Sequence, residues 1–190
     1  WQYDYNGNGS DYDIGYAYSR NGGGSWLARW NYIAYSTNQE RYPSICISDS
    51  LMAVAYEIQF TSAAADSDST DIMYAKSGGI SAPGDTFAWN TASYGIATYH
   101  HDRFPDLSAS GKFLYLAGQR AYYKQTDYDI LVRRSGDGGK TFAGAAVYAS
   151  AAGAEERYPA IRAQDTCCYL AYAHDSAWAY FRWSADTGKT

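Results

Sequence analysis

Short runs of alternating apolar and polar residues, separated by turn-forming residues, fill this chain. Pro43-Ser44-Ile45-Cys46-Ile47-Ser48 alternates strictly and predicts a first strand with one buried face. Asp49-Ser50 predicts the turn after it, and Leu51-Met52-Ala53-Val54-Ala55-Tyr56 reads as a more continuously apolar second strand. A polar loop from Ser62 to Thr70 leads to a third strand at Asp71-Ile72-Met73-Tyr74-Ala75-Lys76, and the stretch near Ala92 to Thr98 supplies a fourth. The same order returns from Pro105 through Leu114-Tyr115-Leu116 and Ile130-Leu131-Val132 to Ala145-Ala146-Val147-Tyr148. No stretch holds a helical period, so the pattern predicts an all-β chain of antiparallel meanders.

The meanders are copies of one another. Asp13-Ile14 leads to Ser19, Asp71-Ile72 to Ser77 and Asp129-Ile130 to Ser135, with spacings of 72 − 14 = 58 and 130 − 72 = 58 residues. A fixed period of this size marks one structural unit stacked several times. Ile14, Ile72 and Ile130 are therefore expected at equivalent inward positions on the third strand of successive units. The turn after the Ser repeats as well. Ser19, Asn21, Gly23, Ser25 and Trp26 match Ser135, Asp137, Gly139, Thr141 and Phe142 in a Ser-x-Asp/Asn-x-Gly-x-Ser/Thr-aromatic pattern. Ser184, Asp186, Gly188 and Thr190 repeat it without the aromatic, and the copy from Ser77 to Phe87 is stretched by an insertion. The Asp or Asn can fold back onto turn amides, Gly permits positive φ, and the aromatic can plug an apolar layer.

This turn pattern resembles the Asp-box, or BNR repeat, of sialidases and many other secreted β-propellers. The resemblance implies a propeller of four-stranded blades in which the box is structural and lies away from the active face. Blade boundaries are expected near 1–38, 39–99, 100–152 and 153–190. Trp1 to Tyr5 reads as the end of a second strand, and Pro159 to Trp183 as strands one to three. The first and last blades are thus expected to be incomplete. Their open edges are expected to abut further protein, either the rest of the propeller or a neighbouring subunit, through an interface rich in Tyr and Trp.

Composition narrows the partners. With 21 Tyr, 6 Trp and 18 Gly in 190 residues, the chain carries β-forming aromatics and turn residues rather than helix formers. A net charge of −5 argues against nucleic acid or an anionic membrane surface as the main partner, and no run is long enough to span a membrane. Cys46, Cys167 and Cys168 lack a C-x-x-C spacing, and adjacent strand positions face opposite ways. Buried free thiols are the expectation, with a disulfide from Cys46 as the alternative.

A second repeated motif bears on function. Glu40-Arg41-Tyr42-Pro43, Asp102-Arg103-Phe104-Pro105 and Glu156-Arg157-Tyr158-Pro159 each open the first strand of a unit. The motif resembles the Arg-Ile-Pro signature of sialidases, with an aromatic in place of Ile. That resemblance implies arginines near the propeller axis that clamp a sugar carboxylate, a task suited to the planar guanidinium fork. The alternative is structural, since each Arg recurs in one context beside an acid. Arg41, Arg103 and Arg157 are expected on one face, opposite the Asp-box turns. No Tyr-Glu nucleophile pair and no general-acid loop can be assigned, and hydrolysis of a glycoside needs both.

Asp4, Asn6, Asn8 and Asp11, interleaved with Gly7 and Gly9, resemble a calcium loop; a polar hairpin turn without metal is the alternative. Asp66, Asp68 and Asp71 form the equivalent loop of the next unit without a Gly in phase. His100, His101 and His174 default to surface or packing roles. The expected function is a secreted or cell-surface, non-catalytic propeller that binds a glycan or protein and requires no cofactor. The rival expectation is a sialidase-type exo-glycosidase.

Overall fold

The computed structural model describes residues 1–4, 6–48, 51–60, 70–77, 89, 93–96, 101–121, 127–142, 147–149, 153, 155–175 and 177–188. The expected turn at Asp49-Ser50, the Asp66 and Asp68 loop, the insertion before Phe87, His100 and Thr190 lie outside these residues.

Four antiparallel sheets follow one another along the chain. The first contains β1 (Gln2–Asp4), β2 (Tyr12–Tyr18) and β3 (Leu27–Ala34). The second contains β4 (Gln39–Ser48), β5 (Leu51–Gln59), β6 (Thr70–Ser77) and β7 (Ser93–Ile96). The third contains β8 (His101–Ser110), β9 (Phe113–Ala121), β10 (Tyr128–Ser135) and β11 (Val147–Tyr148). The fourth contains β12 (Glu156–Gln164), β13 (Cys167–His174) and β14 (Trp178–Ser184). Each sheet is a meander in which sequence neighbours pair.

Apolar faces between consecutive sheets make the core. Ile14, Val54 and Tyr56 join the first sheet to the second. Ile72, Tyr74, Leu107, Leu114 and Leu116 join the second to the third, and Tyr115, Ile130, Ile161 and Leu170 the third to the fourth. Ile14, Ile72 and Ile130 are all fully buried. They sit at one register position, opposite Gln2, Glu57 and Gln119 of the neighbouring strand. Each such side chain contributes about 1.5–3 kcal/mol on burial, which ties the 58-residue spacing to packing between sheets.

The first strands begin earlier than the alternation predicts, because the Arg-aromatic-Pro motif lies inside them. Tyr42, Phe104 and Tyr158 adopt φ of 51°, 49° and 57°, the left-handed region that non-glycine residues avoid. The register shifts at the same place in each: Arg41/Ser44, Arg103/Asp106 and Arg157/Ala160. Each bulge is held from the preceding sheet. The Tyr42 N–H donates to Gln2 Oε1 (3.3 Å), that of Phe104 to Glu57 Oε2 (3.4 Å) and that of Tyr158 to Gln119 Oε1 (3.0 Å). The three rings then meet side by side, with centroids 4.8 and 5.1 Å apart.

A little further along, the first strands are laced together. Leu107 N–H donates to Ser44 Oγ (3.0 Å), Ile161 N–H to Asp106 Oδ2 (2.7 Å) and Ala163 N–H to Ser108 Oγ (2.8 Å). Backbone groups that a strand at the inner edge of its sheet would leave unpaired are therefore satisfied by the neighbouring sheet.

Candidate functional site

In an antiparallel meander the start of the first strand and the end of the third lie at opposite ends of the sheet. Arg41, Arg103 and Arg157 near the starts of β4, β8 and β12 therefore lie opposite the turns after β2, β10 and β14.

At the arginine end, between the second and third sheets, is a cleft of about 300 Å³ lined by Gln59, Thr70, His101, Arg103 and Tyr128. Gln59 and Thr70 are a cross-strand pair at the ends of β5 and β6, while His101 and Tyr128 open β8 and β10. Among these lining residues there is one permanent cation and no carboxylate. Thr70 Oγ1 is buried without a hydrogen-bond partner among the described residues. Sequence reading singled out Arg103 and left His101 to a surface or packing role. Gln59, Thr70 and Tyr128 carry no motif, and only their recurrence at strand ends on the arginine side marks them.

The three guanidinium groups do not share one environment. Arg103 Nε meets the buried Glu57 carboxylate at 3.3 Å and its Cζ lies 4.9 Å from the Phe104 ring centroid. Arg157 Nη2 pairs with Glu155, and its Cζ stands 4.6 Å from the centroid of Tyr128, the ring that lines the cleft. Arg41 Nη2 donates to Gln39 Oε1, and its Cζ stands 4.5 Å from the Tyr12 centroid. Each cation thus has an oxygen acceptor and an aromatic face, which fixes a planar group in place. Burial pushes the Glu57 carboxyl up, and Arg103 opposes that shift.

The acid before each Arg points into the junction between sheets. Glu40, Asp102 and Glu156 are all buried, and their cross-strand partners are Ile58, Arg120 and His174. Arg120 Nε meets Asp102 Oδ1 at 2.8 Å, and His174 Nδ1 meets Glu156 Oε1 at 3.0 Å. Glu40 has no cation across the strand. It accepts a 2.5 Å bond from the Ser36 hydroxyl and shares a hydrogen bond with the buried Asp13. Burial first, then the charges of Asp13 and Asp11, push its carboxyl up to about 7. A group with that value suits proton transfer, but Glu40 is only 2% exposed and does not line the cleft.

At the opposite end three turns share one hydrogen-bond scheme. Ser135 Oγ donates to Asp137 Oδ1 (2.7 Å) and accepts from Gly139 N–H (2.9 Å). Asp137 also accepts from the N–H groups of Lys140 and Thr141 and from the Thr141 hydroxyl. Those donors hold its carboxyl well below the usual range. Ser19, Asn21 and Gly23 repeat the arrangement, as do Ser184, Asp186 and Gly188. Gly139 adopts φ of 72° and lies so close to the Tyr74 hydroxyl that no side chain fits there. Phe142 plugs the layer as expected, edge-on to Tyr74 with centroids 5.2 Å apart. Trp26 does not: it is 64% exposed, with no aromatic partner among the described residues.

In the loop expected to suit calcium, some oxygens meet donors of the loop itself, while Asp4 Oδ1 and Asp11 Oδ1 are buried without a hydrogen-bond partner among the described residues. Asp4 Oδ2 accepts from Gly9 N–H (2.7 Å), Asn8 Oδ1 from Ser10 N–H (3.0 Å), and Asn6 Nδ2 donates to Asp11 Oδ2 (3.2 Å). Among the described residues, no three His, Cys, Asp or Glu side chains are placed to hold a metal ion. Cys46, Cys167 and Cys168 are free thiols; Cys46 and Cys168 are buried, and burial pushes the Cys46 thiol up to about 12. Among the described residues no helix is long and apolar enough to cross a membrane.

Successive four- and three-stranded meanders, packed face to face with their first strands laced side by side, define a sialidase-like β-propeller fold. Among solved structures the chain is similar to Trypanosoma rangeli sialidase in complex with sialic acid, at 15% identity and a TM-score of 0.50. It is also similar to a mutant of that sialidase displaying trans-sialidase activity, at 16% identity and the same TM-score. Each match covers 94% of this chain but 32% of the sialidase chain. No protein-family model matches the sequence, and no curated protein does.

Proposed function

We propose that this chain is part of an extracellular, non-catalytic β-propeller that binds a glycan at the arginine end. The reading rests on one observation: among the described residues, the cleft lining of Gln59, Thr70, His101, Arg103 and Tyr128 offers a cation, neutral hydrogen-bonding groups and a ring, and no carboxylate. That lining suits a carboxylated sugar. The guanidinium and imidazole meet the anion, the amide and hydroxyls meet ring hydroxyls, and Tyr128 offers an aromatic face. The choice of binding over hydrolysis is supported by the position of Glu40, whose carboxyl is raised to about 7 but is buried away from the described lining of the cleft. The reading needs no cofactor.

Calorimetric titration with an acidic sugar and its neutral counterpart tests the proposal. The acidic sugar is expected to bind, the neutral one to bind at least tenfold more weakly, and Arg103→Lys to remove most of the difference, since Lys keeps the charge but loses the fork. Gln59→Ala is expected to weaken binding without unfolding the protein. Equal affinity for the two sugars would overturn the assignment of the cleft. Release of the leaving group from a fluorogenic sialoside would show instead that the chain is a hydrolase.

A further inference from the structure

The three repeat arginines match in sequence and in burial, yet they are held by different corners of the guanidinium. The side chains of Arg103 and Arg157 are 32% and 34% exposed, and Arg41 is likewise partly buried. An aromatic ring lies beside each. In two of them the residue two places earlier takes an outer nitrogen: Arg41 Nη2 donates to Gln39 Oε1, and Arg157 Nη2 to Glu155 Oε1. Their Nε atoms are buried without a hydrogen-bond partner among the described residues. The residue two places before Arg103 is His101. Arg103 donates instead from Nε to both oxygens of Glu57, at 3.3 and 3.4 Å, and its Nη1 and Nη2 have no hydrogen-bond partner among the described residues. We propose that the residue two before each repeat arginine decides whether that arginine can take a carboxylate: His101 leaves Arg103 open, whereas Gln39 and Glu155 close Arg41 and Arg157. Only the identity of the ligand, an acidic sugar, rests on the reading of the cleft given above.

A guanidinium binds a carboxylate best through two parallel N–H···O bonds. Arg103 offers its Nη1–Nη2 edge for this while Glu57 fixes the Nε corner. Glu57 stands where Gln2 and Gln119 stand in the other junctions, and all three accept the N–H of a bulge. Of the three, Glu57 is the one that also holds an arginine among the described residues. Gln39 and Glu155 each carry an acceptor oxygen at the end of a flexible stem. An imidazole has at most one acceptor nitrogen, on a rigid ring, and that of His101 lines the cleft beside Arg103. The two differences complement each other. His101 gives up the hold on the outer nitrogen, Glu57 supplies one on the inner nitrogen, and the cation stays fixed with its outer edge free. One arginine of the three is thereby offered to a ligand, at the junction between the second and third sheets.

The test is labelling of the whole chain with phenylglyoxal, which condenses across the two outer nitrogens of a guanidinium, followed by peptide mass analysis of each arginine. In the wild-type protein Arg103 should react about tenfold faster than Arg41 or Arg157, the factor set by one hydrogen bond to a charged group. Equal rates at all three, or a faster Arg41 or Arg157, would overturn the proposal, and this comparison needs no variant to fold. His101→Gln copies the Gln39 arrangement and should slow Arg103 to the rate of Arg41. Glu155→His is the reverse exchange and should speed Arg157 by the same factor. Rates that neither exchange moves would also overturn the proposal. Glucuronic acid, but not its methyl ester, should protect Arg103 and leave Arg41 and Arg157 unprotected. Fast labelling of Arg103 that the acid does not slow would support the open edge and count against the glycan reading alone. Equal protection of all three arginines would refute the selection of one.

Discussion

Replacing Glu40 by Gln should stabilise this protein in alkali and do little in acid. Glu40 is 2% exposed, and its cross-strand neighbour is Ile58. Its carboxyl is raised from 4.5 to about 7, by burial first and then by Asp13 and Asp11. A raised carboxyl binds its proton more tightly in the folded chain than in the unfolded one. No penalty therefore exists below about pH 4.5, and the penalty grows until the folded group has ionised above about pH 7. A shift of that size corresponds to roughly 3 kcal/mol. Gln keeps the shape, can still meet Ser36 and Asp13, and never ionises. Urea unfolding at pH 5 and pH 8.5 would measure the effect. Glu40→Gln should gain about 3 kcal/mol over wild type at pH 8.5 and less than about 1 kcal/mol at pH 5. A variant that loses stability at pH 8.5, or shifts equally at both values, refutes the reasoning that Glu40 is ionised there without a cation.

Two further substitutions probe the packing between sheets. Gly139→Ala forces a side chain into the Tyr74 hydroxyl at φ of 72°, so thermal unfolding should show a loss of about 2–4 kcal/mol, and a neutral result would mean that the turn sits elsewhere. Gln119→Leu strands the Tyr158 N–H that Gln119 Oε1 accepts, so it should cost about 1–3 kcal/mol and speed exchange of the Tyr158 amide; unchanged exchange would remove that bond from the account.

What the sequence revealed and what it hid follow from the reach of each interaction. Ile14, Ile72 and Ile130 were legible because strand alternation and the repeat place them without any knowledge of the neighbouring sheet. The Ser-Asp-Gly turns were legible for the same reason, since Ser135, Asp137 and Gly139 satisfy one another within five residues. The arginines were found, but their partners were not. Glu57 and Gln119 stand sixteen residues after Arg41 and Arg103, a fixed offset that could have drawn attention to them. Nothing in either strand shows that its side chain reaches a bulge in the next sheet. The series Ile58, Arg120 and His174 was hidden by its own variety, because a position that changes from apolar to cationic does not read as a repeat. Trp26 was expected to be covered because a turn pattern cannot show whether an adjoining sheet supplies a ring such as Tyr74.

The left-handed aromatics give the array a direction in time as well as in space. Tyr42, Phe104 and Tyr158 each donate an N–H to an acceptor that lies earlier in the chain, on Gln2, Glu57 and Gln119. During synthesis from the N-terminus the acceptor has always emerged before the strand that needs it. A newly made first strand can take its unfavourable backbone turn against a neighbour already in place. The reverse order would leave each bulge to form with its amide unpaired. A sheet already in place can thus set the register of the one that follows it in the chain.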